Sequence, residues 1–474
     1  MNSPIVRLYG LIALLFGVLV VATSWWSVFT ASKLRDNTAN RRPLLAEERI
    51  KRGDIRSADG RVLARSVKID KERYRRTYPA KDLFAHAVGY SYTSIGRSGL
   101  EQFRNDPLTG RRTELIGAVD SLLNKRGVGD SIRTTLNAKA QQAAIDGLKG
   151  RKGAVVALEP STGAVLAMAS TPAYDPNGLD QGDKFKRLST DDANSPLVNR
   201  ATQSGYPPGS TMKAVTATAA LDTGKYTPGS RVSGKNGKKI SGVPLNNFGG
   251  EDFGDIDLTF ALTNSVNTVW AEVGEKLGRQ TMADYMTKFG FYKQPPIDLP
   301  TGQLLASGER ERGKLLPPTS RKIDVGRMAI GQDKLLVTPL QMATVAATIA
   351  NGGVRMKPHI TQKIVDPDGR TQDEIQGVQA ERVMKAATAS ALTAMMKNVV
   401  KEGTGTAAAL QGVDLAGKTG TAEIDIGRKI NDPWFIGFTN DFAVAVVLER
   451  VQGGTGGVVA APVAKQVLEA LGGK

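Results

Sequence analysis

The alternation of apolar and polar positions divides the chain into three parts. Residues 8–31 contain no Asp, Glu, Lys, Arg or His. Their centre, Leu11 to Ala22, is apolar on every side, unlike the amphipathic helix of a soluble protein. At helical rise the stretch spans roughly 36 Å, enough for a hydrocarbon core. Trp25 and Trp26 sit near its far end, where amphipathic rings favour the interface. The run is longer than a signal-peptide core and no clear small-x-small site follows it. These features predict an uncleaved transmembrane anchor. Residues 32–132 are rich in Lys and Arg and poor in long apolar runs, and residues 133–474 alternate strand and helix patterns.

Within the third part, a helix is predicted near Lys139–Leu148. Ala154–Leu158 and Ala164–Met168 read as a hairpin across the turn Pro160-Ser161-Thr162-Gly163. Pro207-Pro208-Gly209 stops the chain, and Ser210 opens a helix towards Leu221 with Gly224 as its stop. Further helices are predicted at Leu258–Leu277, Thr281–Phe289, Thr338–Ala350 and Ala387–Lys401. Residues 224–255 read as loop. The C-terminal part is strand-rich: Asp414–Ala416 into Lys418–Ile424, Trp434–Thr439 and Phe442–Leu448, then a helix over Ala461–Leu471. Two strands early, three late and a helical insert between them predict one mixed, mainly antiparallel sheet with helices on both faces.

Composition narrows the chemistry. The 474 residues include no Cys and two His. Disulfides, a Cys nucleophile and a thiolate zinc site are excluded, and a Ser-His-Asp triad would need His86 or His359. The net charge of +17 calls for an anionic neighbour, with nucleic acid the first thought. The charge is uneven, however. Residues 32–133 hold 23 basic and 13 acidic groups, so the excess gathers beside the anchor. There it would face a membrane surface rather than nucleic acid. Orientation is not fixed by charge. Arg7 precedes the span and Lys33, Arg35, Arg41 and Arg42 follow it, but long domains translocate largely regardless of flanking charge.

Without Cys and with little His, the expected nucleophile is Ser, Thr or Lys and the expected base Lys or a carboxylate. Ser210-Thr211-Met212-Lys213 is the chain's one S-x-x-K. The i, i+3 spacing puts both side chains on one helix face, and a helix N-terminus favours developing negative charge. Taken alone, Ser210 could equally be an N-cap and Lys213 a solvated first-turn residue. Ser265-Val266-Asn267 alone carries little weight. Lys418-Thr419-Gly420-Thr421 offers a cation, a bare strand edge and a backbone N–H. Residues 412–419 also match the P-loop pattern G-x-x-x-x-G-K-[ST], and Ala443–Leu448 followed by Glu449 imitates its acidic strand. A P-loop needs a helix after the Lys, whereas Thr421-Ala422-Glu423-Ile424-Asp425-Ile426 reads as strand. A P-loop ATPase is therefore rejected.

The three motifs occur in the order S-x-x-K, S-x-N, K-T-G, the set shared by β-lactamases and penicillin-binding proteins. Together with other blocks, the chain resembles a class B penicillin-binding protein, a monofunctional peptidoglycan D,D-transpeptidase. Arg52-Gly53-Asp54-Ile55, Gly60-Arg61-Val62-Leu63-Ala64 and Gly96-Arg97-Ser98-Gly99-Leu100-Glu101 resemble the segments after the anchor. Asn199-Arg200-Ala201 and Tyr206-Pro207-Pro208-Gly209-Ser210 resemble the approach to the nucleophile. Gly331-Gln332, Thr338–Ala343, Gly403-Thr404-Gly405-Thr406, Gly417–Glu423 and Trp434–Phe438 resemble later blocks. Ser57 and Ala58 stand where the family usually has Asp-Arg, which puts a pedestal salt bridge in question.

The resemblance implies an α/β protein of α+β type. Its parts would be a five-stranded, mainly antiparallel sheet flanked by helices, an all-helical subdomain, an elongated pedestal and one transmembrane helix. The implied division is 1–31 tail and anchor, 32–132 pedestal of dimerisation type, and 133–474 transpeptidase. The implied site is Ser210 as nucleophile, Lys213 as general base, Ser265 as proton relay, Asn267 and Lys418 as orienting groups, and Thr419, Gly420 and Thr421 at the substrate and oxyanion positions. The reaction needs no metal or organic cofactor. Implied partners are D-Ala-D-Ala stem peptides, β-lactams, the membrane, a polytopic glycosyltransferase and other cell-wall synthesis proteins. The substrate's location puts the catalytic part outside the cell membrane. The rival readings are a D,D-carboxypeptidase, a β-lactam-sensing or -hydrolysing relative, and a non-enzymatic divisome scaffold on the same fold.

Overall fold

The computed structural model describes residues 3–25, 48–110 and 128–472. Ser3–Trp25 is a single helix, long and apolar enough to cross a membrane. Trp26, the end of the predicted span and the basic group from Lys33 to Arg42 lie outside the described residues.

The central sheet places its strands in the order 416–425, 430–438, 443–448, 153–158, 165–171, every neighbour antiparallel. The early and late hairpins meet where Ala443–Leu448 pairs with Gly153–Leu158. Both of these strands are buried along their whole length. Their continuous apolar runs follow from helices covering both faces. Successive side chains of a strand point to opposite faces. Accordingly, Ala443, Ala445 and Val447 enter one hydrophobic cluster, and Val444, Val446 and Leu448 enter the other. The first cluster includes Pro339–Ala350 side chains such as Leu340 and Val345. The second includes Ala140 and Leu148 from Ala138–Leu148, and Val463 and Leu468 from Ala461–Leu471.

The helical part is built around Lys213–Asp222, whose residues 213–220 are all buried. Three predicted features differ in detail. The 258–277 stretch forms two helices, Leu258–Thr263 and Asn267–Leu277. The break falls at Asn264-Ser265-Val266, where Ser265 adopts φ +59°, a left-handed conformation that cannot continue a helix. The turn holding Ser210 is a 3₁₀ turn, Gly209–Met212, and the α-helix begins only at Lys213. The 224–255 region carries short strands at Arg231–Ser233, Lys238–Ile240 and Val243–Leu245, too brief to give an alternation signal.

A second sheet has no counterpart in the sequence reading. It runs 371–374, 361–365, 131–134, 55–56, 62–68, 74–77, and so joins the N-terminal third to a segment more than two hundred residues away. Below it, Glu101 is fully buried between two arginines. Arg52 Nη2 lies 2.8 Å and Arg76 Nε 2.5 Å from its carboxylate oxygens. Ser57 is also buried. Its hydroxyl accepts from Arg61 N at 3.0 Å and donates to Asp59, closing the turn. The sheet is tied to the helical part by Asp298, which accepts from Ile360 N (2.6 Å) and Thr361 N (2.7 Å).

Candidate active site

Three segments converge at one end of the central sheet. The first is the turn carrying Ser210. Tyr206 pairs with Val337 through backbone hydrogen bonds of 2.9 and 2.8 Å, and Gly209 N donates to Gly331 O at 3.1 Å. Two prolines then fix the path, since each locks its own φ. The turn lies directly on the strand Ala416–Asp425. A Cβ on Gly420 would fall 2.7 Å from Pro208 O and 2.9 Å from Thr211 Cγ2. The close approach of the turn carrying Ser210 therefore requires glycine at 420, a constraint beyond the bare strand edge expected from the sequence.

The second segment is the break between helices. Lys213, fully buried, extends its Nζ to Ser265 O (2.7 Å), Ser265 Oγ (3.1 Å) and Asn267 Oδ1 (2.7 Å). A carbonyl and an amide oxygen can only accept, but a hydroxyl can also donate. An ammonium would donate to all three oxygens, whereas a neutral amine donates to the carbonyl and amide oxygens and keeps one lone pair, beside the Ser265 hydroxyl, for a proton. The left-handed Ser265 backbone presents its carbonyl and hydroxyl to the same nitrogen. Asn267 is itself held, with Nδ2 donating to Asn246 O at 3.2 Å.

The third segment is the edge strand. Lys418 is fully buried, and its Nζ donates to Thr419 O at 3.1 Å. Thr419 Oγ1 is 2.6 Å from Thr404 Oγ1, and Thr421 Oγ1 accepts from Gly456 N at 3.2 Å. Among the described residues Ala416–Asp425 has a sheet neighbour on one side only, the arrangement in which an extended chain can pair along the other edge. Burial pushes Lys418 down to about 7. Burial, and then the Lys418 charge, hold Lys213 well below the usual lysine range. Desolvation penalises the charged form and a nearby cation adds to that. The pocket thus holds two buried lysines whose hydrogen-bond partners are neutral and whose charged forms are both disfavoured.

The structure brings Ser210, Lys213, Ser265, Asn267, Lys418, Thr419, Gly420 and Thr421 into this region. Sequence reasoning assigned no role to Thr404. Its N–H donates to Thr263 O at 3.3 Å, so it links the helix before Ser265 to Thr419. The only signal was Gly403-Thr404-Gly405-Thr406, noted as a motif without a function. The histidines stand elsewhere: His86 Nε2 is 2.9 Å from Pro196 O, and His359 Nδ1 is 3.4 Å from Lys357 O. The P-loop reading also ends here, because Lys418 lies inside a strand that continues to Asp425.

With this geometry the chain belongs to the penicillin-binding protein transpeptidase family. The profile of the penicillin-binding protein transpeptidase domain matches residues 153–469, and that of the penicillin-binding protein A dimerisation domain matches residues 52–132. The chain is 35% identical to the peptidoglycan D,D-transpeptidase PbpA of Mycolicibacterium smegmatis, over 99% of both chains. It is 34% identical to PbpA of Mycobacterium tuberculosis over the same shares. The ceftriaxone acyl-enzyme complex of M. tuberculosis penicillin-binding protein A superposes with a TM-score of 0.80 at 32% identity, covering 90% of this chain and 99% of that one. A D,D-transpeptidase domain from Eggerthella lenta gives 0.77 at 33% identity, covering 89% and 98%.

Proposed function

We propose that Ser210, Lys213, Ser265, Asn267 and Lys418 carry the acyl transfer of this peptidoglycan D,D-transpeptidase, a serine-type, β-lactam-binding enzyme of cell-wall synthesis. Neutral Lys213 accepts the Ser210 proton as Oγ attacks the carbonyl between the two terminal D-Ala residues of a stem peptide. The Ser210 and Thr421 backbone N–H groups stabilise the tetrahedral oxyanion. Ser265, hydrogen-bonded to Lys213, passes a proton to the departing amine, and D-Ala leaves. The amine of a neighbouring stem then attacks the Ser210 ester, forming the cross-link and restoring the serine. Lys418 and Thr419 hold the donor's terminal carboxylate, and Gly420 keeps the strand against the nucleophile. The observation that carries this reading is the cradle of Lys213. Its partners are all neutral and its charged form is disfavoured, as a general base at neutral pH requires.

The wider arrangement follows. Residues 1–31 form the tail and single-pass anchor, 32–132 the pedestal and 133–474 the transpeptidase domain, which lies outside the membrane because its substrate does. A polytopic glycosyltransferase that supplies glycan strands is the expected partner of the pedestal and anchor. To test the chemistry, membranes carrying wild type and Ser210→Ala are labelled with fluorescent penicillin. A stable label on wild type alone is expected, and label that survives the substitution would refute the assignment. With a thioester donor and a D-amino acid acceptor, the transfer product is expected; hydrolysis alone would favour a carboxypeptidase.

A further inference from the structure

Glu449 follows the central strand Ala443–Leu448 and takes no part in the chemistry above. In the sequence it stood out only as the acid of a false nucleotide motif. In the fold its Oε1 receives two hydrogen bonds from the segment leading to the nucleophile. Tyr206 O–H donates at 2.5 Å and Arg200 Nε at 2.9 Å. Tyr206 and Arg200 are both buried. Burial, and then the Glu449 carboxylate, push the Tyr206 phenol far up, so it stays protonated and keeps donating. Arg200 gives two further N–H groups to the Ser195 and Asn194 carbonyls at 3.2 and 2.8 Å. Glu449 is itself anchored, with its backbone N–H on Lys152 O at 2.8 Å.

The same segment is braced from the neighbouring strand. Trp434 Nε1 donates to Pro207 O at 2.9 Å. The Trp434 ring also meets Tyr206 edge-on, with centroids 6.0 Å apart. Tyr206 stands four residues before Ser210, and the link between them is Pro207-Pro208-Gly209. Two fixed φ angles make that link stiff, so a shift at Tyr206 is passed on to the Ser210 turn. We infer that Glu449 is a positioning residue for acylation: through Tyr206 and Arg200 it fixes where the nucleophile turn sits against the Lys418 strand. This rests on Ser210 being the nucleophile.

The test uses the full chain in detergent, at fixed pH, reacted with penicillin by rapid mixing. The limiting acylation rate constant is separated from the preceding non-covalent affinity, and end-point labelling counts competent sites. Tyr206→Phe, which removes one oxygen, and Glu449→Ala are each expected to slow acylation by about tenfold or more, because sub-ångström misplacement of a reacting group is costly. Affinity should change by less than about twofold, since ground-state contacts are untouched. Glu449→Gln, whose amide oxygen still accepts from Tyr206, should recover part of the loss. The double variant should be no slower than Glu449→Ala alone, since the Tyr206 hydroxyl acts through Glu449. Tyr206→Phe acylating at the wild-type rate constant would overturn the inference. So would a defect confined to the number of competent sites, which marks a purely structural role. Ser210→Ala runs alongside: label on that variant would instead mean that the underlying assignment of the nucleophile is wrong.

Discussion

Replacing Gly331 with Ala would move the nucleophile without touching it. Gly331 holds φ +76°, and an added Cβ would lie 2.0 Å from Gly209 O and 2.7 Å from Gly209 C and N. Such contacts do not survive below 3.0 Å, so the Gly209 peptide must retreat by about 1 Å or the Gly331 backbone must turn. The left-handed conformation alone costs an L-residue roughly 1–2 kcal/mol. The displacement matters more for rate, since a misplacement of about 1 Å can cost on the order of 10²-fold. Gly331→Ala is therefore expected to be acylated by penicillin about a hundred times more slowly. Strain of that size also lowers thermal stability by a few degrees, about 2–4 °C per kcal/mol in a large domain. Gly412→Ala separates the two effects. Gly412 has φ +72° and nothing within 4 Å of its added Cβ, so it carries the same strain without the displacement. It should lose comparable stability and keep the wild-type acylation rate constant. Equal slowing in both variants, or none in Gly331→Ala, would refute the reasoning.

Glu101→Gln removes the counter-charge of two buried guanidinium groups and should destabilise the protein by about 3–5 kcal/mol, measured by thermal unfolding. Burial raises the Glu101 pKa, but Arg76 and Arg52 outweigh it and hold the carboxyl below its ordinary 4.5. The stability it contributes is present above pH 4.5 and lost as pH falls through the lower folded value, so the melting-temperature gap between wild type and variant should narrow under acid. Acylation should rise with pH as Lys213 loses its proton. Lys418→Ala removes the neighbouring cation that helps depress Lys213, so the acid limb of that profile should move to higher pH; an unmoved limb would separate the two lysines. Deleting residues 1–31 should release the protein from membranes, as read by fractionation, and retention would mean that a second element binds the bilayer.

Strongly periodic or fully buried segments were legible from the sequence. The two hairpins of the central sheet, the Ala461–Leu471 helix and the Pro339–Ala350 helix appear within a few residues of their predicted ends. Their apolar faces are long enough to carry a period. The second sheet was not legible, because strands such as Ile55–Arg56 have two residues and gain stability from partners far away in the chain. The break at Ser265 was hidden for a related reason. Leu258–Leu277 keeps a helical pattern across it, and the positive φ of Ser265 goes with its contacts to Lys213, 52 residues away in the chain. The three motifs are local signatures, and the segments that carry them meet in one region: Lys213 contacts Ser265 and Asn267, and the turn carrying Ser210 lies on the strand with Lys418. Glu449 and Thr404 make their contacts with Tyr206 and Thr263, distant in the chain; Thr404 showed only as part of a motif without a function, and no local pattern marks the Glu449 contact.

The claim on which everything else depends is that Ser210 becomes an ester. Intact-mass analysis of the protein after reaction with penicillin, followed by peptide mapping, tests it most directly. One adduct per chain is expected, carried by the peptide containing Ser210 and absent from Ser210→Ala. An adduct on any other residue, or one that persists in Ser210→Ala, would contradict it.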